Sequence, residues 1–136
     1  MAGYAVTTID ALPSIDDEGV DWRPIQHYFQ LTAFGINVYR AAEQGAQIVG
    51  DHDEAEGEHE EVYLVLEGTV AFTVGDESFT LGRGGLVVIS DPSVRRLAVA
   101  ETTGAAVLAV GNRRAERFES TWQPHHFAGV PTHRDQ

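Results

Sequence analysis

The densest group of side chains able to do chemistry lies between Asp51 and Gly68. His52 and His59 stand there among seven carboxylates: Asp51, Asp53, Glu54, Glu56, Glu58, Glu60 and Glu61. Imidazole nitrogen and carboxylate oxygen together suit zinc, iron, manganese or nickel. The same groups can also pass protons near neutral pH. Most of these carboxylates read as a solvated acidic loop. Spacing separates out a smaller set, because His52 and Glu54 are two residues apart, and so are His59 and Glu61. On an extended strand such pairs share a face about 7 Å apart. A strand beginning near His59 turns His59, Glu61, Tyr63 and Val65 one way, so Tyr63 is a candidate hydrogen-bond donor beside the two ionisable groups.

The elements that would carry these residues are strands. Residues 34–41, 47–49, 62–66, 69–74, 77–81, 86–90, 96–99 and 105–110 are short β-rich runs divided by turn signals. Glu67-Gly68 and Gly75-Asp76 read as two-residue hairpin turns, where glycine supplies a positive φ. Arg83-Gly84-Gly85 and Asp91-Pro92-Ser93 read as further turns. The pattern predicts one all-β barrel or sandwich at 25–112, preceded by an irregular arm at 1–24 and followed by a short helix at 113–119 within a tail at 113–136. Several strands are apolar on both faces; Val62, Leu64 and Leu66 oppose Tyr63 and Val65. The second face needs a cover, either the arm or a partner subunit, and a homodimer is the expectation. Trp22 and Trp122 read as plugs for barrel ends or a subunit contact. His125 and His126 read as incidental histidines of the tail.

The 136 residues suffice for one core. There is no cysteine, which excludes disulfides and thiolate metal sites. The net charge of −12 repels phosphate backbones, so nucleic acid is not an expected partner. Apolar runs are too short to span a bilayer, and the N-terminus shows no basic region leading into an apolar core. The expectation is a cytoplasmic protein binding a small molecule, without membrane contact.

The run His59-Glu60-Glu61-Val62-Tyr63-Leu64-Val65-Leu66-Glu67-Gly68 resembles the end of the first motif of the cupin superfamily, whose pattern closes on Glu, six residues and Gly. The stretch from Gly85 to Ser93, with Pro92, echoes the second motif. The resemblance covers residues 45–110 and implies a double-stranded β-helix, or jelly-roll, barrel. It does not imply one activity, since cupins include dioxygenases, isomerases, decarboxylases, epimerases and binders without catalysis. The family's paired histidines fall here on Ala55 and Gly57, or on Glu54 and Glu56 with the longer spacer. A lengthened loop instead puts His52 and Glu54 in that role. The histidine of the second motif falls on Arg96, beside Arg95, and a guanidinium does not ligate metal.

Three readings follow. In the first, His52, His59 and Glu61, with Glu54, hold a divalent ion (Fe, Mn, Ni or Zn), while Tyr63 and Arg96 bind a small, anionic metabolite in an oxidoreductase- or isomerase-type reaction. In the second, no metal binds. Arg96 pairs with Glu61 inside the barrel, and His59 and Glu61 do acid–base chemistry or line a binding pocket. In the third, the site is vestigial and the barrel is a structural module.

Overall fold

The computed structural model describes residues 3–133. In chain order the strands are β1 (Ile15–Asp17), β2 (Val20–Arg23), β3 (Gly35–Ala41), β4 (Gln47–His52), β5 (His59–Glu67), β6 (Val70–Val74), β7 (Glu77–Leu81), β8 (Leu86–Ile89), β9 (Arg96–Ala100) and β10 (Ala106–Arg113). A five-residue helix, α1 (Ile25–Phe29), lies between β2 and β3. Two antiparallel sheets face each other, ordered β1-β2-β3-β10-β5-β8 and β4-β9-β6-β7. None of the described helices is long and apolar enough to cross a membrane.

Alternation sets which face is buried. Tyr63 and Val65 of β5, Val107 and Ala109 of β10, and Val87 and Ile89 of β8 point inward. They meet Val70 and Phe72 of β6 and Ala98 and Ala100 of β9 in one core. Each large apolar side chain fully buried there contributes about 1.5–3 kcal/mol, enough to fix the register against a one-residue slip. The rings of Tyr63, Phe72 and Phe79 form a chain, with centroids 6.1 and 5.9 Å apart.

The segment expected as an irregular arm contains a hairpin. β1 and β2 pair through Asp17↔Val20, and β2 continues onto β3 through Trp22↔Tyr39, so the hairpin extends the larger sheet. Its short strands fell below the length that periodicity can register. Ahead of it the chain is laid on the outer face of the sheet: the Arg23 guanidinium donates to the carbonyls of Ile9, Asp10 and Leu12 at 2.7–3.1 Å. Leu12 and Val38 are buried there, outside the main core cluster. At the opposite edge of the same face, Leu86 and Val88 are 59% and 67% exposed. No described residue of the chain supplies a full cover for them.

Two other expectations are corrected. Gly75-Asp76 closes a two-residue hairpin between β6 and β7, as its sequence suggests. Glu67-Gly68 does not, because β5 belongs to the larger sheet and β6 to the smaller. That glycine makes a corner between sheets, and local turn chemistry does not distinguish the two uses. The helix expected at 113–119 is absent: β10 runs to Arg113 and turn follows. Phe118 is 88% exposed, so a helix there would have no apolar face to bury, and short helices depend on such burial.

Candidate functional site

Three of the side chains singled out by sequence, His52, Glu54 and Glu61, come together in space. His52 ends β4 and lies opposite Arg96 of β9 in the smaller sheet. Glu61 lies near the start of β5 in the larger sheet, opposite Gly111 of β10. Glycine there leaves room, since a Cβ on residue 111 would lie 2.9 Å from the Glu60 carbonyl oxygen and 3.5 Å from Glu61 Cγ. Glu54 arrives from the intervening loop, which is well tied: its N–H donates to the Pro92 carbonyl at 2.8 Å. Asp91 shapes the adjoining turn by accepting from the Ser93 N–H and hydroxyl.

One ligand atom each from His52, Glu54 and Glu61 lies within 4.8 Å of the others. His52 Nδ1 is 2.6 Å from the Gly50 carbonyl oxygen, which can only accept, so Nδ1 carries a proton. His52 Nε2 is 3.0 Å from Glu54 Oε1. A neutral ring would then direct a lone pair at a carboxylate oxygen. That arrangement is repulsive unless a positive charge, a proton or a metal ion, lies between them. A backbone carbonyl fixing Nδ1–H while Nε2 points inward is also how metal-binding histidines are commonly oriented.

Glu61 is held by two donors on one oxygen. The Tyr63 hydroxyl donates to Oε1, and Arg96 Nη1 donates to the same atom at 3.3 Å. Oε2 is thereby left for another partner. Burial raises the Glu61 pKa, outweighing the opposing effects of the Tyr63 hydroxyl and the Arg96 charge. A neighbouring arginine ordinarily lowers a carboxylate pKa, but here it counts for less than desolvation. Burial also pushes the Tyr63 hydroxyl upward, with Glu61 adding to it, so Tyr63 remains a donor.

The sign of the pH effect follows. Folding favours protonated Glu61, so this contribution is complete below its ordinary value of 4.5 and is lost as pH rises through the higher folded-state pKa. In chelator-treated protein, wild type should therefore lose stability relative to Glu61→Gln as pH is raised from acid to neutral. Chemical denaturation across that range checks this, and parallel pH profiles would refute it.

Other candidates stand at different distances from the centre. His59 lies outside the three-residue group and reaches Glu54 Oε2 at 3.5 Å through Nδ1. Arg96 is 1% exposed and lines neither cavity beside the site, so it stands behind Glu61 as a buried partner. Tyr63 lines the first cavity. That cavity, of about 370 Å³, lies between the β1–β2 hairpin and β4, the edge elements of the two sheets. A second cavity of about 420 Å³ includes Asn37, His59 and Asn112 and shares Tyr39, Glu54 and Glu61 with the first. Sequence reading missed Tyr39 as a lining residue and read Trp22 as a plug. Trp22 Nε1 donates to Asn37 Oδ1 at 2.8 Å, and its ring centroid is 6.2 Å from that of Tyr39. Inward parity along β2 and β3 was the available signal.

No family model matches the chain, and no curated protein is similar to it. Solved structures are. A cupin protein from Bacteroides fragilis aligns with a TM-score of 0.69 at 18% identity, covering 89% of this chain and 93% of that one. KdgF from a Halomonas species aligns with a TM-score of 0.68 at 16% identity, over 82% and 94%. A sugar phosphate isomerase of the cupin superfamily from Silicibacter pomeroyi aligns with a TM-score of 0.65 at 20% identity, over 80% and 76%. At these identities the likeness establishes the fold, and that fold is the cupin barrel.

Proposed function

We propose that this cupin barrel binds a divalent metal ion through His52, Glu54 and Glu61 and carries out proton-transfer chemistry of the isomerase type on a small molecule in the adjoining cavity. The observation that carries this reading is His52 Nε2, turned toward Glu54 Oε1 at 3.0 Å by the bond from Nδ1 to Gly50. Donors about 3 Å apart match neighbouring ligands of an ion bound at about 2.1 Å. The donor charges also suit a cation, because Glu54 and Glu61 together exceed the single charge of Arg96.

One imidazole with two carboxylates differs from the two-histidine, one-carboxylate set of the non-haem iron oxygenases, which supports isomerisation over oxygen chemistry. A bound ion would supply Lewis acidity toward a carbonyl or hydroxyl oxygen. His59 lines the second cavity and reaches Glu54 Oε2 at 3.5 Å, so it would accept or return a proton by way of Glu54, which both cavities share. Tyr63 holds Glu61 in position.

A metal-free binding barrel is the second reading, favoured by the two donors already on Glu61. Elemental analysis of protein made without a histidine tag separates the readings. The expected result is near-stoichiometric metal after incubation with Fe(II), Mn, Ni and Zn, falling at least tenfold in His52→Ala. Substoichiometric metal in wild type under every loading condition would overturn the proposal.

A further inference from the structure

We infer that the first cavity takes an organic ammonium ligand, a small amine or amino-substituted metabolite, in preference to a carboxylate or phosphate. This deepens the reading above and rests on the same cavity being the functional site. Neither cavity is lined by an arginine, and the chain has no lysine. Arg96 is shut behind Glu61. Arg23 and Arg40 belong to the outward parity of the larger sheet and pair with Asp21 and Asp10 at 2.8 Å. Arg95 pairs with Asp51 at 3.0 Å. An anion therefore finds no side-chain cation lining this cavity, which weighs against an anionic metabolite held by Arg96.

A cation finds the reverse. Asp17 and Glu18 stand at the exposed rim, clear of the three metal-holding residues; Glu54 and Glu61, further in, add their attraction only in metal-free protein. Between them Trp22 and Tyr39 line the cavity, and the Trp22 ring is fixed by its bond to Asn37. Aromatic faces attract an ammonium group through their quadrupoles, with tryptophan the strongest. Tyr39 senses the same field. Burial first, then Glu61, Glu54 and Asp17, push its hydroxyl up to about 12, so it stays neutral and can donate to the cavity.

Glu18 adds an observation about local geometry. It occupies the first central position of the β1–β2 turn with φ of 50°, followed by Gly19 at 86°. Both central residues of this turn have positive φ, a conformation that suits Asn-Gly or Gly-Gly far better than Glu-Gly. Relaxing the turn and keeping a carboxylate at the rim are thus opposed requirements at this residue.

The test is a ligand-induced thermal-shift screen of small metabolites at millimolar concentration, sorted by charge, on metal-loaded and chelator-treated protein. Stabilising compounds should be predominantly ammonium-bearing, and in chelated protein almost wholly so. For the best amine found, the double variant Asp17→Asn/Glu18→Gln should weaken binding about tenfold, and Trp22→Leu by a similar factor. Affinity should also fall as salt is raised. Glu18→Asn should raise the melting temperature while weakening the amine.

The two proposals fail separately. His52→Ala removes metal and leaves the amine preference, whereas the rim variants remove the preference and leave metal content unchanged. Hits dominated by carboxylates or phosphates in chelated protein, or no ammonium hit at all, would overturn the inference whatever the metal analysis shows.

Discussion

Replacing Glu61 with alanine is expected to destabilise the barrel by about 3–5 kcal/mol, a large part of the stability of a domain this size. The cause is what remains behind. Arg96 is 1% exposed; its Nε donates to the Val94 carbonyl at 3.0 Å, Nη1 donates to Glu61, and Nη2 has no partner among the described residues. Without any acceptor at residue 61 a buried guanidinium retains one hydrogen bond, and Nη1 joins Nη2 without a partner among the described residues. Glu61→Gln keeps the oxygen that receives both Tyr63 and Arg96, and the raised pKa of Glu61 indicates that a neutral side chain is well tolerated. Its cost should be about 1 kcal/mol or less. Removing both partners in Arg96→Met/Glu61→Leu should recover most of the loss, because a buried ion pair contributes little over a packed apolar substitute. Urea denaturation of the four proteins tests the argument. A Glu61→Ala loss no larger than that of Glu61→Gln would show that the pair does not carry the arginine.

The second large effect lies at a corner of the barrel. Gly68→Ala should cost about 3 kcal/mol, the sum of a left-handed backbone with a side chain and an overpacked contact. Gly68 has φ of 70°, and an added Cβ would lie 2.4 Å from Thr102 Oγ1 and 2.9 Å from Ala105 Cα. The Thr102 hydroxyl also accepts the Thr69 N–H at 3.1 Å, so pushing it aside removes a bond at the start of the next strand. Gly84→Ala is the matched control. Its φ of 87° is equally left-handed, but nothing lies within 4 Å of the new carbon, so only the backbone cost of about 1–2 kcal/mol is expected. Equal losses at the two positions in thermal or urea melts would show that the Thr102 contact relaxes freely.

The same glycine shows where sequence reasoning is strong and where it stops. Alternation along β5 identified the inward set His59, Glu61, Tyr63 and Val65, and the burial of Tyr63 and Val65 agrees with it. The need for a glycine at residue 68 was also legible, because positive φ leaves a local signature. Whether the chain there pairs back or crosses to the other sheet depends on β10, nearly 40 residues later, which takes the place beside β5. The division of labour among the ionisable groups was less legible. His52 and His59 look alike in sequence, and only the Gly50 carbonyl and the path of the loop bring His52 to Glu54 and Glu61. For Arg96 the sequence leaves ligand contact and buried ion pair equally open; the structure shows it buried against Glu61 and lining neither cavity. The rim was missed because β1 and β2 are only three and four residues long.

The position of the cavity between two edges has a kinetic consequence. The β1–β2 hairpin and β4 end their respective sheets, and no ladder joins them. A ligand reaching Tyr63 and Glu61 therefore crosses a seam, and no backbone hydrogen bond must open to admit it. Exchange should be governed by diffusion and by shedding of hydration, without a slow gating step. Water follows the same route, so a short-lived intermediate formed here would meet solvent within its lifetime. The architecture suits chemistry in which water is harmless or is itself a reactant, and it disfavours intermediates that require dry enclosure.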